Sequence, residues 1–410
     1  MFRFADNVVR APPQYPYLGG TCVRIRKLPW RLALTAAAAA VLPLTLLSAG
    51  QASAASSMPK PPPVKHVWVI DLENTEFSQS FGDPSADPYL AKTLPSMGAL
   101  LENYFATGHD SADNYIAQIS GQAPDPQTQN DCGVWNPFEP TNQVEQPFNQ
   151  LVGDGCVYPS SVPTVGNQLT GAGKTWKAYM QDMGNDPARD HTTATAEGPA
   201  CGHPAVGAPD LTEGAEVGDQ YATRHEGFMY FQSVTGNQAY CDAHVVSFQP
   251  LQSDLNKAST TPNFSFIAPN VCNDGHDSPC VNGDPGGLTQ INSFLQSFVP
   301  EILNSPAYKQ NGLVMITFDE GTTNKACCGE TSGVSASHPN VAEPGMDGPG
   351  GGQVGAVLLA KFIKPGTVST VDYNHYSMLR SIEDIFGLSH LGDAAMPQVK
   401  PFGADVYTRR

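Results

Sequence analysis

Lys65-His66-Val67-Trp68-Val69-Ile70-Asp71-Leu72-Glu73-Asn74 begins as a short apolar run and ends in a carboxylate and an amide. A continuous apolar run of this length reads as a buried strand. The same form recurs at Phe264-Ser265-Phe266-Ile267-Ala268, at Leu313-Val314-Met315-Ile316-Thr317-Phe318 and at Val354-Gly355-Ala356-Val357-Leu358-Leu359. Thr175-Trp176-Lys177-Ala178-Tyr179-Met180 reads as one more strand. Helical patterns lie between them, over residues 164–172 and from His375 to Phe386. The clearest places Ile291, Phe294, Leu295, Phe298, Ile302 and Leu303 on one helical face. Pro300 sits inside that pattern and is expected to kink or interrupt it. Strands that alternate with helices predict an α/β fold, with a mostly parallel sheet and helices on both faces. No internal repeat is found. Residues 185–220 and 321–352 are long, polar and Gly-rich, so they read as lids or insertions in a loop-rich chain.

Composition narrows the function classes. The chain has 410 residues, with 22 Lys+Arg against 39 Asp+Glu, for a formal charge of -17. A phosphate backbone needs clustered cations, so no nucleic-acid partner is expected. Hydrophobic residues make up 40% of the chain, which argues against wholesale disorder.

Residues 1–54 read as a secretory signal peptide with an extended n-region. Arg24, Arg26, Lys27 and Arg31 supply positive charge, Leu32 to Leu47 is largely apolar, and Ala52-Ser53-Ala54 is a small-residue cleavage site. Cleavage after Ala54 predicts a secreted, extracellular product with no integral membrane span after processing. The apolar run is short for a span, although an uncleaved anchor is the other reading. Residues 55–63 form a Ser/Pro linker, and residues 64–410 a single domain. Beyond residue 54 there are 16 bases and 38 acids. Eight of the nine cysteines lie there, an even number that suggests disulfides in an exported chain. The sequence-near pairs are Cys132 with Cys156, Cys201 with Cys241 and Cys272 with Cys280, and adjacent Cys327-Cys328 is the least certain. A thiolate zinc site is disfavoured because no Cys-x-x-Cys occurs.

Three of the apolar strands end in polar clusters: Asp71 to Asn74, Pro269 to Asp277 and Asp319-Glu320-Gly321. In a parallel sheet the carboxyl ends of strands share one edge, the natural place for a site. Carboxylate, amide and imidazole groups together suit a hard or borderline divalent cation. Turns also favour Asn, Asp and Gly, so any one cluster has a structural reading. A fourth segment, Thr107 to Tyr115, precedes a helix beginning near Tyr115. Ser111 fits a helix N-cap. It equally fits a nucleophile at a helix N-terminus, where the dipole favours a phosphate oxyanion. A metal would lower its hydroxyl pKa and remove the need for a histidine base.

These segments resemble the secreted bacterial phosphoesterase family, which includes phospholipase C and acid phosphatases and has an alkaline-phosphatase-like fold. The likeness runs through Lys65 to Gly82, Thr107 to Gly121, Thr175 to Met180, Arg224-His225, Pro269 to Asp277, Ile316 to Gly321 and Tyr373 to Ser377. In order, they cover nearly all of residues 64–390. The resemblance implies that Glu73 and Asn74 bind metal, that Ser111 is nucleophile and metal ligand, and that Asp319 and Glu320 complete the shell. It implies that Asn114 holds a phosphoryl oxygen. It places Asp274, His276, Asp277 and His375 where related enzymes hold a second metal or the phosphate, with either Asp274 or Asp277 facing the site. One departure is that Asp110 and Asp113 stand where many phosphatase-like members have Pro, and two carboxylates beside the nucleophile would repel a phosphate unless they face away or bind metal.

His109 could orient the nucleophile segment, and Arg224 and His225 fit either substrate contact or a solvated face. No Gly-x-Ser-x-Gly elbow is present, and the Gly348 to Gly352 run lacks the Lys-Ser/Thr of a P-loop. The expected activity is that of a metal-dependent phosphoric ester hydrolase of acid phosphatase type, using a divalent ion and a phosphoseryl intermediate. A phospholipase C acting on phospholipid head groups is the alternative substrate class. A non-catalytic secreted binding protein keeping the fold is the alternative outside enzymes.

Overall fold

Seven consecutive buried residues, His66–Leu72, form strand β1 near the middle of a ten-stranded sheet. The computed structural model describes residues 62–145, 150–195, 198–329 and 350–408. The signal peptide expected over residues 1–54 and most of the linker expected over 55–63 lie outside them, as do residues 330–349 of the second long loop. In chain order the other sheet strands are β2 (Ala99–Leu101), β3 (Trp176–Met180), β4 (Thr193–Thr195), β5 (Gly198–Ala200), β6 (Val245–Ser247), β7 (Phe264–Ala268), β8 (Gly312–Phe318), β9 (Ala356–Ala360) and β10 (Thr367–Ser369). They are arranged β10-β2-β9-β8-β1-β7-β3-β6-β5-β4.

The five neighbours β8, β1, β7, β3 and β6 all run parallel. Every residue of β1, β7 and β8 is buried, so both faces of the sheet centre are covered, as parallel strands require. The departure from the parallel expectation is at the flanks. β9 pairs antiparallel with both β8 and β2, and β5 antiparallel with β6. β2, β6 and β10 have three residues each, too short to stand out as apolar runs.

Four of the helices are α1 (Ser111–Ser120), α2 (Val165–Gly171), α3 (Gly287–Asn304) and α4 (His375–Phe386). Thr164 and Asn167 form a reciprocal capping box that starts α2. Gly121, with φ 71°, closes α1 in the left-handed region that glycine tolerates best. The interruption expected at Pro300 does not occur, and α3 runs through it. The carbonyl left without its helical donor belongs to Gln296, an exposed residue that water can serve.

Cys132 pairs with Cys156, Cys201 with Cys241, Cys272 with Cys280, and Cys327 with its neighbour Cys328. All eight cysteines of the described residues are thereby spent, which leaves no thiolate there for zinc. No helix among the described residues is long and apolar enough to cross a membrane.

Candidate active site

Leu72 is in register with Phe318 across β1 and β8, so the residues beyond them leave the sheet side by side. The Asp319 N–H donates to the Leu72 carbonyl at 2.9 Å, and the Glu73 N–H to the Asp274 carbonyl at 3.0 Å. Three clusters far apart in sequence thus meet at one edge. Asp319 Oδ1 accepts the N–H groups of Asn74 at 3.0 Å and of Glu320 at 2.6 Å. Asn74 itself is exposed at a positive φ of 55°, with its amide 3.4 Å from Glu73 Oε2.

Helix α1 brings in the hydroxyl. Ser111 is its first residue, and Ser111 Oγ donates to Glu73 Oε2 at 3.0 Å. Tyr115, one turn on, donates its OH to Glu73 Oε1 at 2.7 Å. The turn before the helix is fixed by Asn114. Its Oδ1 accepts from the Thr107 and Gly108 N–H groups, and its Nδ2 donates to the carbonyls of Gly108 and Asp110. Both amide hydrogens are therefore used on the turn that presents Ser111, rather than being held out for a phosphoryl oxygen. Asp110, at φ 73° and ψ 149°, is in a region that non-glycine residues avoid, and such strain persists only where surroundings enforce it.

Imidazoles close the other side. His225 Nδ1 donates to Asp274 Oδ2 at 3.0 Å, which leaves His225 Nε2 as a bare acceptor 3.4 Å from Glu73 Oε1. Arg224 donates to His276 Nε2 at 3.2 Å, and His276 Nδ1 donates to Asp277 Oδ1 at 2.9 Å. Of the two aspartates in this loop, Asp274 is the buried one beside Glu73, while Asp277 is partly exposed behind His276. His375 lies at the start of α4, where Nε2–H donates to the Asp319 carbonyl at 2.6 Å and Nδ1 accepts from Tyr104 OH at 3.1 Å. Both of its nitrogens hold the scaffold, and burial lowers its pKa to about 4, so it is neutral. Glu320 accepts from His109 at 2.7 Å, which gives His109 a place beside the cluster.

The electrostatics of the cluster follow from its burial. Burial, then the charges of Asp319 and Asp274, push Glu73 well above the carboxylate range. Burial likewise raises Asp274 and Asp319, and lowers His225 well below the ordinary imidazole value. Buried like charges are costly unless a cation is shared among them. The donor set fits a divalent cation. Glu73, His225 and His276 each offer an atom within 4.8 Å of the others, and Asp319 Oδ2 makes no hydrogen bond. Carboxylate and imidazole donors together match the chemistry of such ions.

The carboxyl of Asp113 is fully buried against Gly108, and burial, then the charge of Glu320, pushes it well above the usual range. Sequence reasoning did not single out Tyr115 or Asp131, and left Arg224 and His225 between two readings. Tyr115 looks like an ordinary core aromatic, and Asp131 stands in a loop with no motif. Asp131 Oδ1 accepts the Ala112 N–H at 2.9 Å, at the N-terminus of α1. A separate cleft of about 520 Å³ flanks α3, lined by Phe248, Phe294 and Phe298 with Gln181, Asn273 and Gln290, and carries none of this chemistry.

Comparison with known proteins places this geometry in context. A family model described as the Phosphoesterase family matches residues 83–389. A phosphate-repressible acid phosphatase of Penicillium chrysogenum is 27% identical over 80% of this chain and 59% of its own length. A phosphatidylinositol-3-phosphatase of Mycobacterium tuberculosis is 24% identical over 83% of this chain and 82% of its own. The chain thus spans about six-tenths of the fungal relative. Among solved structures, a protein in the alkaline phosphatase superfamily from Vibrio parahaemolyticus superposes with a TM-score of 0.44 and 12% identity, over 82% of this chain and 71% of that one.

Proposed function

Starting from the fact that the chain belongs to the Phosphoesterase family, we propose that it hydrolyses phosphate monoesters through Ser111. The observation that carries this reading is the 3.0 Å bond from Ser111 Oγ to Glu73, at a helix N-terminus that faces a buried carboxylate cluster. The names of the relatives, acid phosphatase and phosphatidylinositol-3-phosphatase, support a phosphomonoester as substrate.

In this mechanism Ser111 Oγ attacks phosphorus, the phosphorus–oxygen ester bond breaks, and the leaving oxygen departs as an alcohol once protonated. Water then attacks the phosphoseryl group, the bond to Oγ breaks, and phosphate and Ser111 are released. Glu73, Asp319, Asp274, His225 and His276 would hold a divalent ion, with Asn74 and Glu320 at its margin. Once bound, such an ion favours the ionised hydroxyl and offsets charge on the transferred phosphoryl oxygens. The N–H groups at the start of α1 and the Arg224 guanidinium are donors toward those oxygens. Asn114 keeps the turn before Ser111 in shape, His375 holds the Asp319 backbone, and Asp277 orients His276. Residues 64–410 act as one domain in this reading, and the four disulfides support an exported product that works in an oxidising compartment.

The test is hydrolysis of a chromogenic phosphomonoester by the purified protein, stripped of metal and then resupplied with divalent ions. Ser111→Ala is expected to lower kcat/KM at least about a thousandfold while leaving metal binding in place. Equal turnover by Ser111→Ala would sink the proposal.

A further inference from the structure

Donors that suit an anion at the start of α1 are engaged by a side chain. Asp131 Oδ1 accepts the Ala112 N–H at 2.9 Å, and the Ser111 N–H also faces this carboxylate. Its Oδ2 lies 3.7 Å from Arg224 Nε. That Nε makes no hydrogen bond, although the Arg224 side chain is only 5% exposed. The rest of Arg224 is anchored. One terminal nitrogen reaches the Glu213 backbone carbonyl at 3.3 Å and its carboxylate at 3.8 Å, and the other reaches His276. A buried guanidinium edge and two helix N-terminal N–H groups therefore converge on one anionic group, beside the Ser111 hydroxyl. Carboxylate and phosphoryl oxygens use the same donors.

We propose that Asp131 is an internal competitor for the phosphate seat, and that a phosphoryl group binds by displacing its carboxylate from the start of α1 and from Arg224. The inference rests on the phosphomonoesterase reading and assigns a specificity-determining residue to it. Exposure gives the exchange its direction. The Asp131 side chain is 22% exposed and Arg224 only 5%, so the carboxylate can turn to water while the guanidinium stays. Its backbone is tethered, because Asp131 directly precedes Cys132 of the Cys132–Cys156 disulfide. The displaced group thus stays close and can return as phosphate leaves. Such a residue sets a threshold, since a weak anion cannot outcompete a tethered carboxylate, and it speeds product release.

The experiment compares the metal-loaded wild-type chain with Asp131→Asn, and with Asp131→Ser as a second neutral variant should the first fold poorly. Asp131→Glu keeps the charge as a control. The probes are inorganic phosphate, by calorimetry and as a competitive inhibitor, and a chromogenic phosphomonoester. Removing a like charge from an anion seat is expected to lower the Kd and Ki for phosphate and the KM by roughly tenfold. Asp131→Glu is expected to stay near wild type. Unchanged or weaker phosphate binding in both neutral variants, with only a lower Tm, would make Asp131 a helix cap and overturn the proposal, while wild-type turnover that depends on Ser111 would leave the hydrolase reading standing. Tighter phosphate binding without turnover in any form would uphold the competitor and refute the hydrolase.

Discussion

Two buried acid groups in this molecule are built on opposite plans. In the first long loop, Arg189 pairs with Asp190 at 3.1 Å and with Asp219 at 3.0 Å, and also donates to the carbonyls of Thr212, Gly214 and Tyr221. Its positive charge is part of the chain. At the strand ends, Glu73, Asp274 and Asp319 come together with a neutral imidazole, and the nearby guanidinium of Arg224 is spent on Asp131, His276 and Glu213. The first set carries one fixed cation for its two acids, and burial pushes Asp190 up to about 8, so it draws at most one proton from solution. The second reaches electrical balance only with a proton or an exchangeable cation. The acid pair with its own arginine reads as architecture, and the proposed chemistry is assigned to the cluster without such a partner.

Neutralising one carboxylate at the strand ends tests this contrast most strongly. Asp319→Asn is expected to lower divalent-ion affinity and turnover by at least about a hundredfold. The Tm of the metal-stripped protein should hold or rise, because a repelling buried charge has gone. A clear drop in that Tm would show that the cluster is structural. Arg189→Met should do the reverse. It leaves two buried acids without their cation and is expected to cost about 3–5 kcal/mol in denaturant unfolding. Metal affinity of the folded fraction should not change, and a loss there would blur the distinction between the two sets.

The smallest effect is on pH dependence. Burial pushes Asp125 up to about 7, Glu226 to about 8 and Glu383 to about 9. Each folded value lies above the unfolded one of about 4. Between those values the folded chain holds more protons, so their contribution is full at low pH and is lost as pH rises through the folded values. His375, lowered to about 4, works the other way, and its contribution is lost as pH falls from about 6.5 toward 4. Tm is therefore expected to decline from pH 6 to pH 9, by several degrees. A flat or rising profile would mean that those carboxyls are ionised in the folded state.

How far the sequence revealed all this depends on the kind of contact. β1, β7 and β8 were legible because strands buried on both faces cannot alternate, and the polar residues after them had to emerge at one edge. Glu73 and Asp319 follow from that reasoning together with the family resemblance, while the choice between Asp274 and Asp277 needed their burial in the fold. Ser111 was read as the cap of a helix beginning near Tyr115, whereas α1 begins at Ser111 itself, with Asp110 in the cap position. The bond of Tyr115 to Glu73 and the approach of His225 Nε2 to it were not legible, because they depend on how α1 and the Arg224-His225 turn pack against the sheet, which no local pattern encodes. Asp131 was hidden for a further reason. It and Cys132 both have positive φ, at 51° and 57°, a conformation with no signature in these residue types. The roles implied for Asn114 and His375 look different in the structure, since each uses its polar atoms on the scaffold behind the reacting groups.

The partnership of β1 with β8 also bears on when the protein can first act. Asn74 and Asp319 are hydrogen-bonded yet 245 positions apart. A ribosome adding roughly 10 residues each second needs about half a minute to travel from one to the other. Through that interval the first half of the site exists without the second, and no cation can yet be shared between them. On the proposed reading, the site stays incomplete until the segment carrying Asp319 has emerged from the ribosome.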